Sequence, residues 1–161
     1  MAMASGQQHD RATCWLALPY GLLWWPWLGP LGTVVSALAF LIGGLWLSPD
    51  LDTNSRPYQR WGPLRWLWWP YRKTLRHRSI LSHTPVVGTL VRVGYGLGIV
   101  LLLSGLLHPW GVPSSSEVLI WLKQQERLLW VALVGVEASA WLHLLQDGDP
   151  MPRRSRRRKP N

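Results

Sequence analysis

Apolar residues are concentrated in four runs, which divide the 161-residue chain into membrane-length segments and polar connections. The runs cover residues 14–28, 31–48, 86–107 and 128–145. Each approaches the length of about 20 residues that an α-helix needs to cross a hydrocarbon core. The pattern predicts an all-α fold, a small polytopic membrane protein with about four transmembrane helices. The first two runs are short and meet at a predicted tight turn, Gly29-Pro30, so a buried helical hairpin is the alternative for them.

The longest polar segment, residues 49–85, separates the second and third runs. Its part from 58 to 75 alternates basic side chains with tryptophans and tyrosines. This composition favours an amphipathic helix lying in the membrane plane. A nucleic-acid surface of stacking aromatics and basic residues is the less favoured alternative, because apolar runs flank the segment. The shorter connector, 113–126, predicts a helix that starts near Ser114.

Both ends of the chain are polar. Residues 1–13 are predicted to be loosely held, apart from His9 and Asp10. Residues 148–161 form a basic tail of a composition typical of disorder. The sequence therefore predicts one membrane-embedded helical domain over residues 1–147, followed by this tail.

The basic residues predict an orientation. With four spans, the termini and the 49–85 loop share one side, which carries fourteen of the 17 lysines and arginines. The opposite side carries only Lys123 and Arg127. The positive-inside rule then places both termini and the large loop in the cytoplasm. Membrane lipids are the expected partner of the basic tail, and nucleic acid is not expected. The 13 tryptophans suit anchoring at the bilayer surface, and the single cysteine excludes an intramolecular disulfide.

This topology, drawn without the histidines or acids, brings most of them to the cytoplasmic face. The candidate metal ligands there are His9, Asp50, Asp52, His77, His83, His143 and Asp147. Asp10 is a weaker candidate. His108 falls on the opposite side and is interpreted as a helix-end residue.

The spacings within this set are compatible with metal binding. His143 and Asp147 share one face of a helix, and the two acids of Asp50-Leu51-Asp52 project the same way from an extended turn. His77 and His83 need a turn or a helix start between them, which Ser79 or Ser82 could cap. Each piece alone is more often a cap or a solvated turn, and only their joint placement favours a metal site.

A mixed imidazole and carboxylate set suits a divalent transition metal better than calcium or magnesium. Zinc is the first expectation, with manganese or iron as alternatives. The set exceeds what one tetrahedral ion needs, so either two ions or additional residues that orient the ligands are expected.

These motifs occur in an order that resembles a family of small bacterial membrane proteins, common in cyanobacteria and described as metal-binding. The motifs are His9-Asp10, Pro49-Asp50-Leu51-Asp52, His77-Arg78-Ser79 with Ser82-His83, and His143 with Asp147. The family is similar to inner-membrane metal-dependent hydrolases, although Thr84 stands where those relatives often have serine. The resemblance covers about residues 6–147 and implies a bacterial inner or thylakoid membrane location.

The resemblance implies metal-assisted hydrolysis, and the position of the site suggests an ester or phosphoester substrate, including lipids. Arg78 is a candidate for binding an anionic substrate, although holding lipid headgroups is its more ordinary role. The alternative is a non-catalytic membrane scaffold in which a closed metal site holds the loop against the helix ends. A transporter has less support, because Arg92 and Glu137 are the only charges well inside the spans. They are expected to form a structural ion pair.

Overall fold

The computed structural model describes residues 5–75 and 77–148, and within these residues every regular element is helical. The α-helices are α1 (Gly6–Leu22), α2 (Trp25–Leu45), α3 (Arg56–Arg60), α4 (Trp69–Thr74), α5 (Ile80–His83), α6 (Val87–Leu107), α7 (Ser115–Gln124) and α8 (Glu126–Gln146). Three 3-10 segments connect them, at Pro49–Asp52, Gly62–Trp68 and His108–Trp110. The all-α prediction is confirmed. The predicted disorder of the basic tail lies outside the described residues from position 149 onward.

Three segments of the described chain are long and apolar enough to cross a membrane. They are Trp25–Asp52, Val87–Trp110 and Glu126–Gln146. Helix α1 is not among them; it is 17 residues long, and its first turns carry His9, Asp10 and Arg11. The structure is thus compatible with a membrane protein, and the predicted count of four spans is not confirmed.

Residues 1–13 were predicted to be loosely held apart from His9 and Asp10, but the chain is helical from Gly6 onward, so the prediction is wrong for that part; residues 1–4 lie outside the described residues. Helix α1 begins at Gly6, and the Ser5 backbone N–H donates to Gln8 Oε1 at 2.6 Å. This interaction satisfies a donor that the start of a helix would otherwise leave free. The early start places His9 on the buried face of α1.

The predicted turn at Gly29-Pro30 coincides with a break in the helix. Gly29 has φ 58° and ψ −156°, a conformation that glycine tolerates, and it interrupts the segment Trp25–Leu45. Pro30 follows it and cannot donate the helical hydrogen bond, which explains why the break lies there. Gly21 of α1 closely approaches Thr33 and Ala37, so the antiparallel packing of α2 on α1 begins after this break.

Helices α1 and α8 both pack against α2 through small residues. A Cβ at Gly43 of α2 would lie 2.2 Å from Ser139 Oγ and 2.8 Å from Val136 Cα, both on α8. A Cβ at Gly44 would lie 2.5 Å from Thr13 on α1. Such close approach is typical of helix pairs in membranes. It brings the start of α1, the end of α2 and the end of α8 together.

Residues 58–75 do not form the single amphipathic helix that their composition predicts. The chain from Arg56 to Thr74 consists of α3, a 3-10 segment and α4, folded around a core of Leu51, Tyr58, Trp68 and Tyr71. Burial raises the pKa of the Tyr71 phenol to about 12. The Tyr95 hydroxyl of α6 donates to the Leu67 carbonyl at 2.7 Å and holds this core against α6. Trp68 is therefore a core residue, whereas Trp66 and Trp69 are exposed.

The connector between α6 and α8 contains the short helix that the sequence predicts. Helix α7 begins as expected, because Glu117 and Ser114 form a capping box.

The prediction of an ion pair between Arg92 and Glu137 is wrong. Arg92 donates to Ser82 and Thr89, and Glu137 accepts from the Val86 backbone. Each charge is bound by the segment that leads into α6.

Candidate metal centre

The candidate ligands lie at the ends of four elements that meet at one end of the helical bundle. His9 comes from the second turn of α1, and His143 and Asp147 from the end of α8. The 3-10 turn Pro49–Asp52 follows α2, and α5 carries His83. Leu51 is fully buried, so it anchors the turn and directs the acids on either side of it.

Two groups of three potential ligands are present among the described residues. The first is His9, His143 and Asp147, and the second is Asp50, His77 and His83; within each group the ligand atoms lie within 4.8 Å of one another. The sequence prediction of a shared face for these residues agrees with this arrangement. It also agrees in detail for His77 and His83, since α5 starts between them at Ile80, directly after Ser79.

The first group is buried and closely packed. The rings of His9 and His143 stack with centroids 4.0 Å apart. His9 Nδ1 donates to Gln146 Oε1 at 2.8 Å, and its Nε2 lies 3.0 Å from Asp147 Oδ1. Because Nδ1 carries the ring proton in this arrangement, Nε2 presents only a lone pair to the Asp147 carboxylate. Two acceptors at this distance require a proton or a metal ion between them. His143 Nε2 lies 3.6 Å from the other Asp147 oxygen.

Asp50 joins the two groups. Its Oδ1 lies 3.4 Å from His83 Nε2, and its Oδ2 lies 3.5 Å from His143 Nε2. These separations are longer than ordinary hydrogen bonds. Two atoms bound at about 2.1 Å to one tetrahedral ion lie about 3.4 Å apart, so the spacing fits two ligands of one ion as well as an ion pair.

Orphaned nitrogens give a second indication that the residues fit a metal. Among the described residues, His83 Nε2 and His143 Nε2 are buried and have no hydrogen-bond partner. A buried polar atom without a partner is unfavourable, and most such atoms in proteins are satisfied. A divalent cation next to Asp50 would satisfy both nitrogens. The donor set and its geometry therefore fit a metal ion.

Asp52 has a different role from the other acids, since it is in neither group. Its Oδ1 accepts a hydrogen bond from His77 Nδ1 at 2.9 Å, and its Oδ2 lies 3.6 Å from His83 Nδ1. The Nδ1 atom of His83 is hydrogen-bonded to Ser82 Oγ at 3.1 Å. Asp52 and Ser82 thus contact the Nδ1 atoms, which leaves the Nε2 atoms for a metal and fixes the ring orientations, as such partners commonly do for ligating histidines.

Two further residues that contact the histidines were not singled out from the sequence. Ser48 Oγ lies 3.3 Å from His143 Nδ1, and Gln146 accepts from His9. In the sequence they are marked only by their position next to candidate ligands, since Ser48 precedes Pro49-Asp50 and Gln146 precedes Asp147. Such orienting residues become visible only when the helix ends are brought together.

The remaining candidates lie elsewhere. Asp10 pairs with Arg56 at 2.9 Å and with Arg60 at 2.5 Å, so it ties α1 to α3. His108 follows α6 at the opposite end of the bundle, where its Nδ1 donates to the Val112 carbonyl at 3.0 Å. Arg78 is exposed in a backbone conformation of positive φ. The structure therefore separates Asp10 and His108 from the centre.

The two groups differ in their access to solvent. The side chains of His9 and Asp147 are each 9% exposed, whereas that of His77 is 44% exposed and that of Asp50 is 30% exposed. The second group is therefore open on one side. An open position is what distinguishes catalytic metal sites from closed structural ones.

The fold and the centre define a helical protein with a histidine and aspartate cluster suited to a divalent metal. The chain belongs to the family described as "Uncharacterized metal-binding protein (DUF2227)", whose sequence profile matches residues 4–158. An "Uncharacterized protein" of Aquifex aeolicus (strain VF5) is 48% identical over 59 residues. That match covers 36% of this chain and 41% of the relative, so it spans less than half of either protein. No solved structure gives a significant match.

Proposed function

We propose that this protein is a membrane-embedded, metal-dependent hydrolase of ester or phosphoester substrates. The proposed metal ligands are His9, Asp50, His77, His83, His143 and Asp147. The observation that carries the proposal is the position of Asp50, with one oxygen 3.4 Å from His83 Nε2 and the other 3.5 Å from His143 Nε2. Because Asp50 offers an oxygen to each group, the centre has ligands for up to two ions.

Zinc is the proposed metal, and manganese or iron are the alternatives. Imidazole nitrogens with carboxylate oxygens suit these ions, and none of the proposed ligands is a thiolate. A divalent ion bound there would supply Lewis-acid stabilisation of an oxyanion and lower the pKa of a bound water. The chain's own part is to hold the ligand atoms in place and to leave one side open.

Asp52, Ser48 and Gln146 orient the ligands. Each contacts the Nδ1 atom of a proposed ligating histidine, so the Nε2 atom points into the centre. The exposed side of His77 and Asp50 gives a substrate its approach to the second group. Arg78 follows His77 and is exposed, and its guanidinium suits an anionic phosphoester.

A non-catalytic scaffold with a structural metal site is the second candidate. The burial of the first group favours it, since His9 and His143 leave little room for a substrate. A closed site of this kind would join the start of α1 to the end of α8. The two candidates differ at the second group, where the hydrolase requires access and the scaffold does not.

We further propose that α1 completes a set of four spans, with the centre and both termini on the cytoplasmic side of a bacterial inner or thylakoid membrane. The support is that α1 packs along α2 and that its start meets the end of α8. The excess of basic residues on that side of the chain follows the positive-inside rule. Membrane lipids are the proposed partners, and nucleic acid is not.

Hydrolysis by the zinc-reconstituted protein in detergent tests the catalytic proposal. The substrates are p-nitrophenyl phosphate, bis(p-nitrophenyl) phosphate and p-nitrophenyl acetate. We expect His77→Ala to abolish turnover and His108→Ala, at the opposite end of the bundle, to retain it. Metal-loaded wild type that turns over none of the three would favour the scaffold.

A further inference from the structure

Two charged side chains inside the apolar helices remain without a role in the centre described above. They are Arg92 on α6 and Glu137 on α8. Charges within such helices are unfavourable and are usually retained for function. Both contact the same short segment, residues 82–87, which we call the elbow; it leads from His83 into α6.

Arg92 holds the start of the elbow. Its Nη1 donates to the Ser82 carbonyl at 2.6 Å, and its Nη2 donates to Thr89 Oγ1 at 3.0 Å. The arginine is 1% exposed, so these bonds form away from water. Ser82 directly precedes His83, and the bond therefore restrains the backbone that carries this ligand.

Glu137 holds the other end of the elbow. Its Oε1 accepts a hydrogen bond from the Val86 backbone N–H at 2.9 Å. Val86 has φ 65° and ψ −61°, and the Val87 N–H donates to the Pro85 carbonyl at 2.7 Å. These values define a γ-turn with positive φ, which is rare and strained. For a β-branched residue this conformation persists only where neighbouring contacts impose it.

The elbow also lies directly on the backbone of α6. A Cβ at Gly88 would lie 2.7 Å from the Ser82 carbonyl oxygen and 3.2 Å from Arg92 Nη1. A Cβ at Gly94, further along the same helix, would meet nothing within 4 Å. The position of α5 is thus determined by close contact with α6 as well as by the two charges.

We propose that Glu137 and Arg92 are positioning residues of the metal centre, which hold the strained elbow so that His83 faces Asp50 opposite His143. The inference rests on the proposed metal-binding function. Glu137 and His143 lie on the same helix, so the Glu137 bond to Val86 links the two ligand groups across α6 and α8. Without that bond the γ-turn relaxes, and His83 moves relative to Asp50.

Four proteins test the Glu137 link: wild type, Glu137→Ala, Glu137→Gln and the double variant Glu137→Ala with Val86→Gly. Glutamine keeps an oxygen that accepts from the Val86 N–H, so it should behave as wild type. Glycine adopts the positive φ without strain. The double variant should therefore recover the zinc affinity that Glu137→Ala loses. A loss of affinity caused by general unfolding would not be recovered by Val86→Gly.

The first readout is hydrogen exchange of the peptide containing Val86 in metal-free protein. We expect Glu137→Ala to accelerate exchange at this amide about tenfold or more, since a bond to a charged acceptor is lost. Glu137→Gln should leave it unchanged. Unchanged protection in Glu137→Ala would show that this carboxylate does not hold the elbow, and would overturn the inference whatever the metal content.

The second readout is zinc affinity, measured by competition with a chromophoric chelator. We expect Glu137→Ala to weaken zinc binding about 10–100-fold, the effect usual for residues that orient ligands, and Val86→Gly to restore it. Accelerated exchange with unchanged affinity would make the elbow purely structural and overturn the positioning role. Wild type that binds no zinc would instead overturn the proposed metal function, and the positioning role with it.

Gly88→Ala and Gly94→Ala form a matched pair on α6. We expect Gly88→Ala to displace α5 and weaken zinc binding, because its methyl group would meet the Ser82 carbonyl. Gly94→Ala adds the same methyl group where space is open and should bind zinc as wild type does. Equal affinities in the two variants would contradict the close contact between α5 and α6 as a determinant of the centre.

Discussion

Asp52 accepts a hydrogen bond from His77 Nδ1 at 2.9 Å, and its other oxygen faces His83 Nδ1 at 3.6 Å. This carboxylate therefore orients His77, whereas the hydrogen-bond partner of His83 Nδ1 is Ser82 Oγ at 3.1 Å. The side chain of Asp52 is fully buried, so its hydrogen bond to His77 does not compete with water.

We expect Asp52→Asn to weaken metal binding about 10–100-fold, because an amide orients imidazoles less strongly than a carboxylate does. Chelator competition on purified protein measures the change. Asp10→Asn is the matched control, since Asp10 pairs with Arg56 and Arg60 away from the centre. Equal losses in the two variants would show that Asp52 acts on folding rather than on the ligands.

Leu51 connects the centre to the aromatic core beneath it. It is fully buried between Asp50 and Asp52 and packs with Tyr58, Trp68 and Tyr71. We expect Leu51→Ala to lower the free energy of unfolding by about 2–5 kcal/mol, as for other large-to-small changes in packed cores. Denaturant unfolding in detergent measures it, with exposed Leu64→Ala as the control. A change below that of Leu64→Ala would contradict the assignment of Leu51 to the core.

The contact between α2 and α8 sets the distance from Ser48 to His143. A methyl group at Gly43 would lie 2.2 Å from Ser139 Oγ and 2.8 Å from the Val136 backbone, so Gly43→Ala must move one helix. We expect a lower Tm together with weaker metal binding. Gly98→Ala, where space is open, should change neither. A wild-type Tm in Gly43→Ala would mean that α2 and α8 are not in close contact.

The proximity of the candidate ligands could be predicted because it follows from alternating helix directions. Once the apolar runs are assigned, His9, Asp50, His83 and His143 fall at one end of the bundle whatever the details of packing. The start of α5 between His77 and His83 was predictable for a similar reason, since their spacing does not fit one straight helix. These predictions depend on local pattern and chain order alone.

Other features depend on contacts between distant segments and had no local signal. The pattern of 58–75 suggested one surface helix, whereas Trp68 packs against Tyr71 and Tyr95 in a core. Arg92 and Glu137 were expected to pair with each other, but each binds the elbow instead. The start of α1 at Gly6 was not predicted, because Ser5 and Gln8, which interact there, lie in a polar stretch without a helical pattern of apolar residues.

The most direct test of the account is the metal content of purified protein by elemental mass spectrometry. Wild type, a His83→Ala, His143→Ala variant and His108→Ala should be compared after reconstitution with zinc. We predict stoichiometric zinc in wild type and in His108→Ala, and its loss in the double variant, because the two Nε2 atoms beside Asp50 are removed. No bound metal in wild type, or equal content in all three proteins, would contradict the assignment of this cluster as the metal centre.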